Sequence, residues 1–489
     1  MKGRSPDDGY GVSTGYTYGY YRKLSPTWLR FVAAARGLTI PDGEPFRYFE
    51  LGFGQGVSLN VHAASNPGEY WGNDYNPEHV GFARRMAEAS GASVHLLEDS
   101  FEQLAERRDL PQFHMVVAHG IWSWISDSTR AAILKFLDEQ LAPGGLFYVS
   151  YNALPGSLSG MAAQRLLHTV SASLDEARPE SERFDLARAH LRKIKDEAGG
   201  HFTSYPKAMQ RLEKILAGKS SYYLHEYTVG SWKPELLLEV SAHMKQIGLE
   251  FWGSAYLDTI DLKAPHRPDD GEALCLEETL RDFRKDRQFR SDLFVRSPRG
   301  RSEQKSVPCI SNREIALTCL ADEIEASSDD AEAPENATDL QLLLHHVEQR
   351  ASSRVRISEL TRTPGLLGPE ANLLPLLVFS LNQGLLHPTK TVPDELSVRA
   401  CERLNKFASE NIAYNDGRQL RASPIIGAAV KFPEMYTDLH DTGADAMQIV
   451  QSLSASESLK SRITALQIVK YAAHYKSRIK LIDALAVRT

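Results

Sequence analysis

The sequence, 489 residues long, predicts an open, doubly wound α/β sheet of Rossmann-like type. A helical insertion and a mostly helical C-terminal part with a winged-helix-like unit are expected to follow. Three observations carry that expectation. Short aromatic and aliphatic runs alternate with helical patterns between residues 46 and 156, the signature of βαβ units and a parallel sheet. Three glycines at alternate positions, Gly52, Gly54 and Gly56, separate the first run from the first helical pattern. Without Cβ atoms the backbone there can turn sharply and approach a ligand closely. Asp74 closes the second run, at the spacing of about 20 residues from a nucleotide loop at which an acid reaches ribose hydroxyls.

The elements follow in order. Tyr48-Phe49 marks the first strand, with an acid at Glu50, and residues 57–64 read as the first turns of a helix. Residues 69–74 form the second strand. Asn76 as N-cap and Pro77 at the first helical position start a helix that stops near Gly91. Residues 94–97 are the third strand, followed by Asp99 and Ser100, where an ordinary helix cap and a ligand-binding acid both fit. Residues 113–119 are the fourth strand, 141–145 a Pro-Gly-Gly turn, and 146–151 the fifth strand. Beyond Gly156, apolar spacing of three and four residues over 161–174, 183–197 and 205–216 predicts inserted helices. The sheet resumes with an amphipathic helix at 234–248, a strand at 249–253 and an antiparallel seventh strand at 292–296. Helical patterns at 339–349 and 370–384 and short runs at 355–360 and 385–388 outline the winged-helix-like unit. Its third helix carries no Lys or Arg, which a polyanionic groove requires, so nucleic acid is not the expected partner.

Composition narrows the class. Hydrophobic content of 42% and charged content of 24% suit soluble globular domains. No run approaches the 18 apolar residues of a membrane span, and the N-terminus lacks the apolar core of a signal peptide. Cys275, Cys309, Cys319 and Cys401 are scattered without a C-x-x-C pair. No metal site or disulfide framework is expected, and a cytoplasmic location fits. The net charge is −7, and residues 322–335 alone hold seven acids and no base. That stretch reads as an exposed linker, from which residues 336–489 are expected to fold separately and to be dispensable for cofactor binding. Just before it, Arg281, Arg284, Lys285, Arg287, Arg290, Arg296, Arg299 and Arg301 are interleaved with Asp282, Asp286 and Asp292. This reads as a solvated helix and strand edge, or as a face for an acidic partner.

The pattern Glu50-x-Gly-x-Gly-x-Gly56, with Asn73-Asp-Tyr-Asn-Pro77, His119-Gly-Ile-Trp-Ser-Trp124 and Ser150-Tyr-Asn-Ala-Leu-Pro-Gly156, resembles bacterial class I S-adenosylmethionine (SAM) methyltransferases with a methyltransferase regulatory domain. Leu224-His-Glu-Tyr227 and residues 289–296 are similar to segments of that regulatory region. Relatives in this family include rickettsial protein lysine methyltransferases. The resemblance implies SAM as cofactor and S-adenosylhomocysteine as product. It implies a cofactor site made of Glu50, Gly52, Phe53, Gly54, Gly56, Asp74, Tyr75, Asp99, Ser100 and His119, with Asp74 at the ribose and Asp99 at the adenine amino group. The expected units are an aromatic lid segment (1–45), a SAM-binding core (46–156), a helical insertion (157–223), a regulatory region with the last sheet elements (224–300), a linker (301–337), the winged-helix-like unit (338–395) and a helix-rich remainder (396–489).

Methyl transfer from a sulfonium to a nucleophile needs positioning and water exclusion above all. His119 is the candidate general base by position and ordinary pKa, and Tyr151 the second candidate catalytic group. Trp122, with Trp124, is a candidate acceptor cage, or core. Asn152, Tyr20, His225 and Tyr227 are candidate acceptor-binding groups. Tyr10, Tyr16, Tyr18, Tyr20 and Tyr21 form an aromatic N-terminal segment able to close over a cation, or to pack an interface. Three functions are compatible with these residues: a protein methyltransferase acting on lysine, a small-molecule or glycan O- or N-methyltransferase, and a non-catalytic SAM-binding scaffold. A homodimer is left open.

Overall fold

A computed structural model describes residues 18–41, 43–175, 177–197, 200–217, 230–258, 271–296, 310–320, 337–350, 353–363, 366–367, 373–390, 393–414, 418–433 and 475–486. Its centre is a seven-stranded sheet of β1 (Arg47–Leu51), β2 (Glu69–Asn73), β3 (Val94–Leu97), β4 (Phe113–Ala118), β5 (Leu141–Asn152), β6 (Leu249–Ser254) and β7 (Phe289–Arg296). The strand order is β3-β2-β1-β4-β5-β7-β6. The first five strands pair in parallel, and β7 runs antiparallel between β5 and β6. The order reverses at β1 and β4, the switch point where open α/β sheets bind ligands beyond the carboxyl ends of their strands.

Residues 141–145, expected as a turn, are instead part of β5. Phe113 pairs with Leu141, and the next pair is Met115 with Leu146. The Pro-Gly-Gly residues therefore bulge out inside a continuing strand, with Gly144 at φ 74°. Between the strands lie α1 (Pro26–Ala35), α2 (Val57–Ser65), α3 (Pro77–Ser90), α4 (Phe101–Glu106) and α5 (Asp127–Gln140). Helix α3 begins with Asn76 accepting from the Glu78 amide and ends at left-handed Gly91, as its flanking residues predict. The insertion forms α6 (Leu158–Ser173), α7 (Glu180–Asp196), α8 (Gly200–Ser204) and α9 (Pro206–Ala217), packed around their own core of Leu167, Phe184, Leu191 and Leu212.

Helices α10 (Leu237–Lys245) and α11 (Gly271–Lys285) flank the last two strands of the main sheet. A second sheet, β10-β8-β9, joins β8 (Glu314–Leu317), β9 (Arg354–Arg356) and β10 (Leu386–Pro388). Around it are α12 (Ala337–Glu348), α13 (Ile357–Leu360) and α14 (Leu373–Gln383). Strand β8 lies inside the stretch expected as a linker, yet it is the central strand of this sheet; the acidic stretch 322–335 lies outside the described residues. Helix α15 (Glu395–Asn411), the hairpin of β11 (Arg418–Ser423) and β12 (Ala428–Pro433), and α16 (Tyr475–Leu485) complete the order.

Described parts of the C-terminal region that was expected to fold separately are packed against helices of the catalytic sheet. Ala400, Cys401, Leu404 and Ala408 of α15 share one buried cluster with Val57, Val61, Phe82 and Met86 of α2 and α3. Across this seam Lys390 donates to Ser65 O at 2.7 Å and Asn66 to Gly427 O at 2.9 Å. Helix α15 therefore serves as an outer layer for α2 and α3, whose apolar faces would otherwise meet water. In the basic cluster of 281–296, Arg284 and Lys285 are exposed, while the other four cations are paired. Arg290, 2% exposed, is held by Asp282 and Asp292, and Arg287, Arg281 and Arg296 pair with Asp282, Asp258 and Asp138. Among the described residues no helix is long and apolar enough to cross a membrane.

Candidate active site

The glycine turn at the end of β1 is built on three left-handed residues, Gly52 (φ 61°), Gly54 (φ 59°) and Gly56 (φ 70°). Close packing adds to the conformational demand: a Cβ on Gly52 would lie 2.6 Å from Ile121 Cδ1, and one on Gly56 2.5 Å from Ala83 Cβ. The turn is tied to β2. Gly54 N donates to Asp74 Oδ2 at 2.9 Å, and Asp74 Oδ1 accepts from Asn76 N at 3.0 Å and lies 3.2 Å from His79 Nδ1. Asn73, which the sequence reading did not single out, joins three loops: Gly52 N reaches its Oδ1 at 3.4 Å and its Nδ2 donates to Asp99 O at 3.0 Å. Tyr75 stands half-exposed beside Asp74.

Glu50 is buried at the carboxyl end of β1, and its Oε2 has no hydrogen-bond partner. Burial pushes its carboxyl up to about 8, against a smaller opposing pull from the Tyr48 hydroxyl. A buried acid with an unused oxygen beside a turn that only glycine can make fits a cationic ligand portion seated on that turn. The residues present therefore fit SAM.

Three expected cofactor contacts also have partners within the fold. Ser100 spends its hydroxyl on Gln103 N as the N-cap of α4, in a capping box. The Asp99 carboxylate is turned onto Arg107 Nη1 at 2.8 Å. The Phe53 ring is buried and fills the space beside Gly72 and Gly56, as core beneath the turn.

His119 follows β4. Its Nδ1 lies 3.0 Å from both Tyr148 OH and Ser150 Oγ, and Ser150 Oγ also accepts from Gly120 N. Burial, reinforced by the charge of Lys23, lowers its pKa to about 4. The imidazole is thus neutral at neutral pH and a weak proton acceptor, which corrects its expected role as general base. The Tyr21 ring packs 4.1 Å from it, and Tyr21 N donates to Ser58 Oγ in the first turn of α2. Tyr21 therefore spans the crevice from the glycine turn to the end of β4. On the other side Phe289, at the start of β7, lies 6.0 Å from the imidazole. Tyr21 and Phe289 are 37% and 38% exposed, leaving His119 flanked by two open aromatic edges. Phe289 belongs to the segment 289–296 that resembles the regulatory region, but its place beside His119 follows only from the pairing of β7 with β5.

The remaining acceptor candidates lie elsewhere. Tyr20 is one residue out of phase: its hydroxyl accepts from Ala429 N and its ring packs near His62, so it ties the N-terminal segment to the β11–β12 hairpin. Tyr151 is buried and donates to Asp292 Oδ2 at 2.7 Å, inside the Arg290 network. Trp122 is fully buried, with Nε1 donating to Glu235 Oε2 at 2.8 Å, and is core. Trp124 stacks on Trp232, whose Nε1 donates to Asn152 Oδ1 at 2.9 Å. Lys233 N donates to Ser123 O at 2.8 Å. Residues 232–235 thus clamp the loop after β4 from outside. His225 and Tyr227 lie outside the described residues.

Residues 49–145 match the methyltransferase domain family, and residues 219–296 match a family described as "predicted methyltransferase regulatory domain". An uncharacterized protein of Synechocystis sp. is 29% identical over 471 residues, covering 93% of this chain and 92% of that protein. An uncharacterized protein of Rickettsia prowazekii is 27% identical over 205 residues, covering 41% of this chain and 80% of its own. Among solved structures, PKMT2 from Rickettsia typhi in complex with AdoHcy is 17% identical, covers 96% of this chain and 100% of its own, and has a TM-score of 0.67; at that identity the likeness speaks for a shared fold. The chain is a SAM-dependent methyltransferase that carries a methyltransferase regulatory domain.

Proposed function

We propose that the chain methylates a protein acceptor, on a lysine amine, and that Glu50, the turn Gly52–Gly54–Gly56 and Asp74 hold SAM for that transfer. SAM supplies an electrophilic methyl on a sulfonium; the protein supplies orientation and a crevice closed by Tyr21. One observation supports the protein acceptor above others. Leu276, Leu280 and Phe283 on α11 are 50%, 47% and 56% exposed. Their spacing places them on one helical face. That helix leads directly into β7, whose first residue, Phe289, flanks His119. An exposed apolar stripe on the helix that leads into β7 suits a macromolecular acceptor. The aromatic edges of Tyr21 and Phe289 beside His119 suit the methylenes and ammonium of a lysine.

The test is incubation of the enzyme with radiolabelled SAM and host lysate, followed by separation of protein and small-molecule fractions. Label on lysines of protein, reduced in a Leu276→Ser/Leu280→Ser/Phe283→Ser variant that keeps its SAM affinity, is the expected result. Label confined to small molecules overturns the reading.

A further inference from the structure

A second cavity lies at the opposite ends of the strands from the crevice. Its volume is about 850 Å³, enough for one small organic molecule. It is lined at the amino ends of β1 and β2, by Phe46 and Tyr70, whereas the glycine turn and Asp74 follow their carboxyl ends. Helix α1 supplies a second side. The small sheet supplies a third, through Arg313 just before β8 and Lys390 shortly after β10.

The charge in this cavity is one-sided. Arg30, Arg313 and Lys390 line it, and the acid among its described lining residues is Glu44, which is exposed. The Arg30 guanidinium is seated 4.5 Å from the centroid of the Phe46 ring. Arg313 is exposed and has no ion pair among the described residues. Lys390 Nζ donates to Ser65 O at 2.7 Å, which uses one of the three donors of an ammonium. Asp394 lies 3.7 Å from that amine but is engaged at the start of α15, where it accepts from Ser397 N and Oγ at 2.8 and 2.6 Å. Between the cations the lining is apolar, with Phe31, Ile40 and Phe46 all buried.

Tyr70 adds a separate observation. Its hydroxyl is buried and has no hydrogen-bond partner among the described residues. Burial raises its pKa, against a smaller opposing effect of the Arg30 charge. The other polar groups of the lining are already satisfied: Thr27 Oγ1 donates to Asn66 Oδ1 at 2.9 Å, and Asn66 Nδ2 donates to His62 O and Gly427 O. A buried hydroxyl left without a partner costs stability, and a ligand is one way to satisfy it.

We infer that this cavity binds a small organic anion, which presents a phosphate or carboxylate to Arg30, Arg313 and Lys390 and lays an apolar body along Phe31, Ile40 and Phe46. Cations drawn from separate segments recognise the anionic head, and the apolar lining distinguishes such a ligand from a bare ion. The bound anion would fasten α1 to the flanks of β8 and β10, and so hold the small sheet against the catalytic one. Such a site is independent of which methyl acceptor the crevice takes.

Calorimetry on the full chain, with the crevice saturated by S-adenosylhomocysteine, compares phenyl phosphate, benzoate, phenol and inorganic phosphate. Phenyl phosphate or benzoate is expected to bind, and the tighter of the two identifies the head that the cations take. Added salt should weaken that binding. Arg313→Glu, a reversal at an exposed position, should weaken it by about tenfold or more. Arg30→Gln should act in the same direction, each variant being checked for folding by circular dichroism. Phenol bound as tightly as the organic anions shows an apolar hollow only, and inorganic phosphate bound as tightly shows an adventitious ion only; either overturns the proposal. So does anion binding that folded Arg313→Glu and Arg30→Gln leave unchanged, and so does failure of both organic anions to bind at millimolar concentration.

Discussion

Glu235→Ala is expected to loosen the regulatory region from the catalytic sheet. Glu235 and Arg130 have side chains 3% and 2% exposed, 3.9 Å apart, and Glu235 Oε2 accepts from Trp122 Nε1 at 2.8 Å. Lys233 and His243 approach its Oε1 at 3.8 and 3.4 Å. Truncation leaves a buried indole N–H unsatisfied, which costs about 1–3 kcal/mol. It also removes a buried counter-charge, and breaking such a pair costs about 3–5 kcal/mol. The two losses overlap, because both describe the same desolvated oxygen. Arg130 also keeps Trp122 O at 3.0 and 3.1 Å and Asp127 at 2.6 Å. The expected cost is therefore about 3 kcal/mol, with Glu235→Gln, which retains an acceptor for the indole, at about half of that. Urea unfolding followed by tryptophan fluorescence reads it directly, since Trp122, Trp124 and Trp232 all lie at this seam. Methyl transfer should fall further than SAM affinity, because Glu235 braces the loop after β4 and not the glycine turn. A Glu235→Ala protein within about 1 kcal/mol of wild type would refute the reasoning.

Gly54→Val, at φ 59°, should abolish SAM binding by calorimetry in a folded protein, since a β-branched residue resists that backbone; unchanged affinity would contradict the assignment of the turn. Asp74→Ala should weaken SAM by about 1.5–3 kcal/mol, roughly 10- to 150-fold, in the same measurement. Glu50 has its carboxyl pushed up to about 8, so its contribution to apo stability is complete below its unfolded pKa of about 4.3 and is lost as pH rises through about 8. A cationic ligand portion would draw that pKa down, so binding near pH 7 should release a proton, seen as a buffer-dependent enthalpy that Glu50→Gln removes. A chain ending at Arg301 should be insoluble, because the Val57, Val61, Phe82 and Met86 face loses its cover; a soluble monomer with full SAM affinity would show α15 to be dispensable.

Much of this protein is decided within short stretches of chain. Gly52, Gly54 and Gly56 announce the turn because a left-handed backbone needs glycine locally, whatever surrounds it. Asn76, Pro77 and Gly91 bound α3 because caps satisfy backbone groups within a few residues. The alternation of strands and helices follows from such local signals, and the cofactor class from the resemblance that the motifs carry, whereas the strand order came from the pairing of the sheet. What depended on tertiary structure has a shared physical character: it arises between segments far apart in sequence. Trp122 is core because Glu235, 113 residues away, accepts its indole proton. Arg290 is buried among Asp282, Asp292 and Glu278, although in sequence it looks like one of a run of solvated cations. Tyr21 faces His119 while Tyr20 faces Ala429, a choice that a single residue of backbone rotation makes and that no periodicity in a short irregular segment can reveal. The C-terminal part looked detachable because charge composition reports on exposed linkers. Only the packing of α15 showed that α2 and α3 need a second layer, because burial of an apolar face is a property of the partner that covers it.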